Sequence, residues 1–280
     1  MKFTKMHGAG NDYIYVNCFE EKIKDRSKTA IKVSDRHFGI GADGLICIDP
    51  SEIADCKMDM YNADGSQGKM CGNGVRCVAK FAYDNGIAKK DEIAVETLSG
   101  IKYIKVFTGE DGKVCEATVN MGQPVFKPSD IPALFDGDRA VDEKMTVCGK
   151  EYGVTLVSMG NPHCITYVDD VYGIDIEKIG PVFENYEKFP DRINTEFIKV
   201  VSPEMLEMRV WERGSGETLA CGTGACASVA ASVLNGYCKK DTLVTVKLLG
   251  GELKIKWSSE DGNIYMTGPA ATVCTGETDE

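Results

Sequence analysis

Apolar positions along this chain repeat with two periods. Between residues 73 and 83, Val75, Val78, Ala79 and Ala82 stand at i, i+3, i+4 and i+7, which predicts a helix with one buried face. Asn85-Gly86 behind it suits a helix end. An alanine-rich run over 223–234, closed by Asn235-Gly236, predicts a second such helix, and shorter helices are expected over 29–37 and 175–186. Runs rich in β-branched and apolar residues predict strands over 2–6, 13–17, 45–48, 57–61, 144–148, 152–158, 196–201 and 205–211. Residues 93–98 and 101–107 flank Ser99-Gly100, and 242–248 and 252–257 flank Gly250-Gly251, as two hairpins. The segment 123–138, with Pro124, Pro128 and Pro132, reads as a connection between domains.

The second half repeats the first at a constant distance. Cys71-Gly72-Asn73-Gly74 and Cys221-Gly222-Thr223-Gly224 each open a predicted helix, 150 residues apart (221 − 71). Gly10-Asn11 and Gly160-Asn161 keep that offset, as do Asn85-Gly86 and Asn235-Gly236, and Gly100 and Gly250. The expected fold is therefore α+β, with two pseudo-symmetric domains. Each is a mostly antiparallel sheet wrapped around a central helix. The domains are expected at residues 1–125 and 126–280, with the last strand free to return to the first domain, and the site in the cleft between them.

A cysteine at a glycine-rich helix start carries specific chemistry. The first turn leaves backbone N–H groups without partners and carries roughly +0.5 of an elementary charge. Such a position is expected to lower a thiol's pKa from about 8.5 toward neutrality. The same N–H groups bind a carboxylate, and the glycines at 72, 74, 222 and 224 would let a ligand approach the backbone. Two such starts facing each other suit racemisation or epimerisation. One thiolate removes an α-proton and the opposite thiol protonates the other face, while donors at the carboxylate stabilise the enolate-like transition state. One cysteine before a glycine-rich turn is ordinarily a small buried residue; the pair at one offset makes the catalytic reading the stronger. Cys77 and Cys226 on the helices are expected in the core, as are Cys18, Cys47, Cys56, Cys115, Cys148, Cys164, Cys238 and Cys274.

Composition narrows the function without choosing it. A net charge of −11 argues against nucleic acid and anionic membrane surfaces as partners. No run of eighteen apolar residues occurs, and the first residues lack the apolar core of a signal peptide, so a cytoplasmic protein with reduced thiols is expected. Gly39-Ile40-Gly41-Ala42-Asp43-Gly44 matches G-x-G-x-x-G but follows a helix and precedes a strand, the reverse of a dinucleotide fingerprint, and is read as a turn. With three histidines and no CxxC pair, no structural metal is expected, and nothing marks a pyridoxal-phosphate lysine, so no cofactor is expected. Gly160-Asn161-Pro162-His163 reads as a polar turn, and its place in the copy of the Asn11 turn gives His163 a site role. Glu212 and Asn62 each lie nine residues before their cysteine, and Arg213 is suited to a bidentate carboxylate contact.

These residues resemble the diaminopimelate epimerases, cofactor-independent enzymes that interconvert LL- and meso-diaminopimelate in lysine and cell-wall precursor synthesis. The resemblance runs from His7-Gly8-Ala9-Gly10-Asn11-Asp12 through residues 61–66 and 70–77 to 158–163, 212–214, 216–218 and 220–225. It implies that Cys71 and Cys221 are the acid/base pair and that Gly72-Asn73 and Gly222-Thr223 hold the reacting carboxylate. It implies that Asn11, Asn62, Asn161, Asn194, Glu212 and Arg213 bind the rest of the substrate, and that His163 and Glu212 tune the thiols. Tyr265 matches a tyrosine linked to a homodimer contact. Some relatives carry a substrate-contacting Gln where this chain has Gly44, so Gly44 is left out of the site. Two other readings are a racemase of another amino acid and a non-catalytic thiol module for redox or metal binding.

Overall fold

The computed structural model describes residues 1–279. The chain forms two compact units, residues 1–120 with 267–280, and residues 121–266. The architecture is α+β. No helix among the described residues is long and apolar enough to cross a membrane.

The first unit begins with strands β1 (Lys2–Gly8) and β2 (Asn11–Asn17), helix α1 (Arg26–Ser34), and strands β3 (Gly44–Asp49), β4 (Cys56–Asn62) and β5 (Gln67–Gly68). Helix α2 (Gly72–Asp84) and strands β6 (Glu92–Thr97), β7 (Gly100–Thr108) and β8 (Val114–Gly122) follow. Strands β1 and β2 form a tight hairpin with Gly8 opposite Asn11, and the two turn residues Ala9 and Gly10 take φ of +55° and +87°. Such a turn matches the twist of the strands, and glycine reaches it without strain. β2 then pairs parallel with β3, and β3 antiparallel with β4. Helix α2 is buried from Gly72 through Ala82, capped by Cys71 at its start and Asn85 at its end. It is a core helix whose polar residues Asn73, Arg76 and Lys80 are buried along with its apolar face.

The second unit repeats this order. It comprises β9 (Glu143–Val147), β10 (Lys150–Ser158), β11 (Pro162–Tyr167), α3 (Ile176–Glu184), β12 (Asn194–Ser202), β13 (Met205–Glu212), β14 (Gly216–Glu217), α4 (Gly222–Leu234), β15 (Leu243–Leu248) and β16 (Gly251–Trp257). Then come β17 (Ile264–Pro269) and β18 (Ala271–Glu277). The 150-residue offset holds residue by residue through the middle of the fold. Helices α1 and α3 correspond end to end, and so do α2 and α4. Tyr15 lies opposite Ile46 in the β2–β3 pair, and Ile165 opposite Glu196 in the parallel β11–β12 pair. In both units an extra strand pairs antiparallel with the first long one. Its source differs: β18, near the chain end, pairs with β1, whereas β9, immediately before it in sequence, pairs with β10.

Several expectations need correction. The first short helix is Arg26–Ser34, not 29–37. Asp25 caps it by accepting the Lys28 N–H at 3.1 Å, while Asp35 accepts from the N–H groups of His37 and Phe38 and so starts a turn. Gly100 closes the β6–β7 hairpin opposite Thr97, but Gly251, not Gly250, closes β15–β16 opposite Leu248. The repeat has thus slipped by one residue after α4. Pro162-His163 lies in strand β11, not in a turn; Pro162 is its first residue, a position where a missing N–H is tolerated. Cys115, Cys148 and Cys274 are exposed rather than in the core. Cys115 and Cys274 stand at outward positions of β8 and β18, and Cys148 occupies the β9–β10 turn at φ +51°.

Candidate active site

Each cysteine sits where a strand hands over to a core helix. Cys71 has extended backbone, φ −128°, and its Sγ accepts the Gly74 N–H at 3.4 Å. Cys221 has φ −116°, and its Sγ accepts the Gly224 N–H at the same 3.4 Å. Sulfur thus takes the capping role that Ser or Asp ordinarily fills, which occupies one first-turn donor on each sulfur and fixes its rotamer. The glycines three residues after each cysteine have a second reason to be glycine. A methyl carbon at Gly74 would lie 2.9 Å from Ile46 Cδ1, and one at Gly224 would lie 2.5 Å from Glu196 Oε1. Protein atoms fill both spaces, so these two glycines serve packing rather than ligand approach.

Cys71 meets an amide and a phenol, with a carboxylate one hydrogen bond further out. Its thiol donates to Asn11 Oδ1 at 3.3 Å, and Asn11 in turn donates from Nδ2 to Asp43 at 2.7 Å. Tyr13 lies beside it, and burial, then the nearby Cys71 and Asp43, hold its hydroxyl well above the ordinary value. Asn73 on α2 is buried, and its Oδ1 accepts from Arg76 Nη2 at 3.0 Å. Arg76 is itself fully buried and also donates to the Gly72 carbonyl. Asn62 at the end of β4 donates to Ser66 Oγ at 3.0 Å.

The groups facing Cys221 are ionisable. His163 is fully buried, with Nδ1 2.7 Å from Glu196 Oε1 and Nε2 3.0 Å from Asn161 Oδ1. Glu212 accepts from the Thr218 hydroxyl, and burial pushes its carboxyl above the usual range. Burial, then the carboxylates of Glu212 and Glu196, push the Cys221 thiol well above its ordinary value, overcoming hydrogen bonds from Thr223 and the Gly224 N–H. The expectation that a helix start lowers this thiol's pKa is therefore reversed. Desolvation and two nearby carboxylates outweigh a partial charge. Thr223 Oγ1 lies 3.5 Å from Cys221 Sγ. Asn194 is buried and satisfied by the protein itself, donating to the Pro162 carbonyl and accepting the Arg213 N–H. The Arg213 side chain is exposed and donates to the Asp191 carbonyl. Tyr265 donates to Asp261 at 2.6 Å.

A model of the diaminopimelate epimerase family matches residues 3–127 and 155–273. The chain belongs to this family. It is 56% identical over 279 residues to the diaminopimelate epimerase of Acetivibrio thermocellus, covering 100% of this chain and 99% of that one. It is 54% identical over 279 residues to that of Methanococcus maripaludis strain C5, with full coverage of both. Membership makes the chain an enzyme of the isomerase class. Among solved structures, a PhzF-family phenazine biosynthesis protein of Bacillus anthracis superposes with TM-score 0.74 at 16% identity, covering 100% of this chain and 99% of that one. A hydroxyproline epimerase of Agrobacterium vitis superposes with TM-score 0.67 at 13% identity, covering 99% and 90%. These two share the fold.

Within this epimerase fold, sequence reasoning passed over Glu196 and Arg76. A charged residue in a strand reads as outward-facing, yet Glu196 is fully buried beside His163. The repeat itself carried the signal. Glu196 is the 150-residue counterpart of Ile46, a position that the matching strand buries.

Proposed function

We propose that this chain interconverts LL- and meso-diaminopimelate without a cofactor, by proton transfer between Cys71, Cys221 and one α-carbon. The observation that carries the reading is the matched capping of α2 and α4 by the two cysteines, each sulfur taking the third residue's N–H at 3.4 Å. Two thiols held in equivalent backbone frames suit a reaction whose substrate and product are mirror-related at the reacting centre. The reading requires both sulfurs to reach opposite faces of that carbon. First-turn N–H groups at 72–73 and 222–223 would hold the reacting carboxylate, where negative charge grows in the transition state.

The surroundings of Cys221 favour one division of roles. Burial and two carboxylates raise the Cys221 thiol's pKa, which suits it to the role of proton donor. In this reading Cys221 donates a proton to the substrate and Cys71 accepts the one taken from it. His163 and Glu212 tune the second thiol, while Asn11, Asn62, Asn161, Asn194 and Arg213 shape the rest of the substrate pocket. The pathway role in lysine and cell-wall precursor synthesis, the cytoplasmic location and a homodimer involving Tyr265 belong to the same proposal.

Incubation with LL-diaminopimelate in deuterated water tests it. The product should carry one α-deuterium with no cofactor added. Cys71→Ala and Cys221→Ala should each lose epimerisation by about 10³-fold or more, the scale of removing an acid/base group. Substantial activity in either variant, or turnover of hydroxyproline in place of diaminopimelate, would overturn the reading.

A further inference from the structure

Proton transfer leaves one group beside Cys221 unemployed. Glu196 is fully buried, its Oε1 meets His163 Nδ1 at 2.7 Å, and its Oε2 is buried with no hydrogen-bond partner among the described residues. A buried carboxylate oxygen without a donor is uncommon in folded proteins and attracts a positive charge. One ring nitrogen of His163, one carboxylate oxygen of Glu196 and the Cys221 sulfur lie within 4.8 Å of one another. These three donors come from β11, β12 and the cap of α4, so no sequence spacing announces them.

We propose that His163, Glu196 and Cys221 bind a borderline-soft divalent cation such as Zn²⁺, and that binding withdraws the Cys221 sulfur. Nitrogen, oxygen and sulfur ligands together match zinc's preferences, and bonds of about 2.0–2.3 Å place tetrahedral donors roughly 3.3–3.8 Å apart. Small side-chain rotations bring the cluster to that size. Gly224 lets two of these donors approach each other, since a methyl carbon there would lie 2.5 Å from Glu196 Oε1 and 3.2 Å from Cys221 Sγ. The counterpart positions around Cys71 are Tyr13 and Ile46, which offer no equivalent set. The cation takes the place of the hydrogen between His163 and Glu196, the neutral ring keeps its one N–H on the nitrogen facing Asn161 Oδ1, and the Cys221 thiol proton leaves to solvent. A fourth position stays with water. No structural metal follows from this: the fold closes on its own hydrogen bonds, and the cation is an inhibitor. Binding stands on the geometry alone; inhibition rests on the function proposed for Cys221.

The test uses the full chain, reduced with a phosphine and freed of metal. Zn²⁺ is titrated against a chromophoric chelator, and Co²⁺ is added separately to read a thiolate-to-cobalt charge-transfer band in the near ultraviolet. The wild type should bind one Zn²⁺ in competition with the chelator and show the band. Glu196→Gln should bind at least 10-fold more weakly, and Cys221→Ser should lose the band while Cys71→Ser keeps it. Circular dichroism identifies any variant that does not fold, and Cys221→Ser, a one-atom change, then carries the decision. An unchanged band in Cys221→Ser, or no tight site in the wild type, overturns the proposal. Zn²⁺ should also inhibit epimerisation reversibly, with recovery on chelation. Should Cys71→Ala remain fully active while the metal data come out as expected, the proton-transfer reading falls and the cation site stands. Should both alanine variants lose turnover while Zn²⁺ binding is unchanged in Cys221→Ser, the cation site falls and the proton-transfer reading stands.

Discussion

Alanine at Gly224 should damage the protein, and alanine at Gly74 should not. The two positions are counterparts, each three residues after its cysteine in the first turn of its helix. At Gly74 the new methyl meets Ile46 Cδ1 at 2.9 Å and Met58 Cε at 3.1 Å, both far ends of flexible side chains. Their rotation absorbs most of that crowding, and alanine returns about 0.4–1 kcal/mol by restricting the unfolded chain. The net effect at Gly74 should be within about 1 kcal/mol of zero. At Gly224 the methyl meets Glu196 Oε1 at 2.5 Å, and that oxygen is held 2.7 Å from His163 Nδ1 in a fully buried pair. Relief requires moving the carboxylate, which strains the core by about 1–3 kcal/mol and weakens a charge-assisted hydrogen bond worth about 1.5–3 kcal/mol. After the alanine gain, Gly224→Ala should cost about 2–4 kcal/mol, read as a shift in urea midpoint at unchanged slope. A cycle with Glu196→Ile, which copies the residue at position 46, isolates the cause. In that background Gly224→Ala should cost about 2 kcal/mol less, because the two changes share one contact. Equal costs at Gly74 and Gly224, or no coupling to position 196, would refute this account of why glycine stands at 224.

Two further outcomes follow from charge and burial. Asp12 is held below its ordinary value of 3.8: burial works against this, but hydrogen bonds from Arg36 and Lys5 outweigh it. A lowered folded-state pKa gives stability that is present above 3.8 and lost as pH falls through the lowered value. The urea-midpoint gap between wild type and Asp12→Asn should therefore close on acidification below pH about 3.8, and a gap that widens would contradict the pairing. Iodoacetamide on the native protein at pH about 7.5, followed by peptide mass spectrometry, should label the exposed Cys115, Cys148 and Cys274 readily. Cys56, pushed up to about 12 by burial and Asp55, and Cys77 and Cys238, each at about 11 chiefly through burial, should stay unmodified until urea is added.

What the residues announced and what they hid divide along physical lines. Helices α2 and α4 were legible because burial, spacing and caps all act within a few residues. The start of α1 was not, since a single Asp25 cap outweighs a weak apolar pattern. Strand β8 alternates faithfully, with Ala117, Val119 and Met121 inward, yet it has no place among the expected strands because its intervening polar residues weaken the pattern. β11 was hidden by Pro162, and the exposure of Cys115, Cys148 and Cys274 by the usual burial of free cysteine. The candidate thiols were legible because duplication printed them twice at one offset. Glu196 was not, because its burial depends on a parallel strand pair that brings Ile165 opposite it. The Cys221 pKa lay beyond any local rule: a helix start acts through a few bonds, whereas the opposing desolvation comes from the whole surrounding unit.

Duplication has kept the frame of each thiol and let its lining diverge. The frame is made of backbone: a cap, a first-turn N–H and a parallel strand pair in the same register, none of which changes without disrupting a ladder of hydrogen bonds. The lining is made of side chains, which change one at a time. Tyr13, Ile46 and Asn62 became, or came from, His163, Glu196 and Glu212, so at these three paired positions the imidazole and both carboxylates stand on the Cys221 side. Under the two-thiol reading this division has a use. Identical surroundings would leave two thiols competing for one proton with no preferred arrangement, and only one arrangement is competent for a given epimer. Carboxylates around Cys221 favour the proton there, so the free enzyme is poised to act on the epimer whose α-proton faces Cys71. Each turnover leaves the proton on the other sulfur, and the same electrostatic bias then drives its return. The asymmetric lining thereby sets the resting state, while the symmetric frame lets either sulfur do the chemistry.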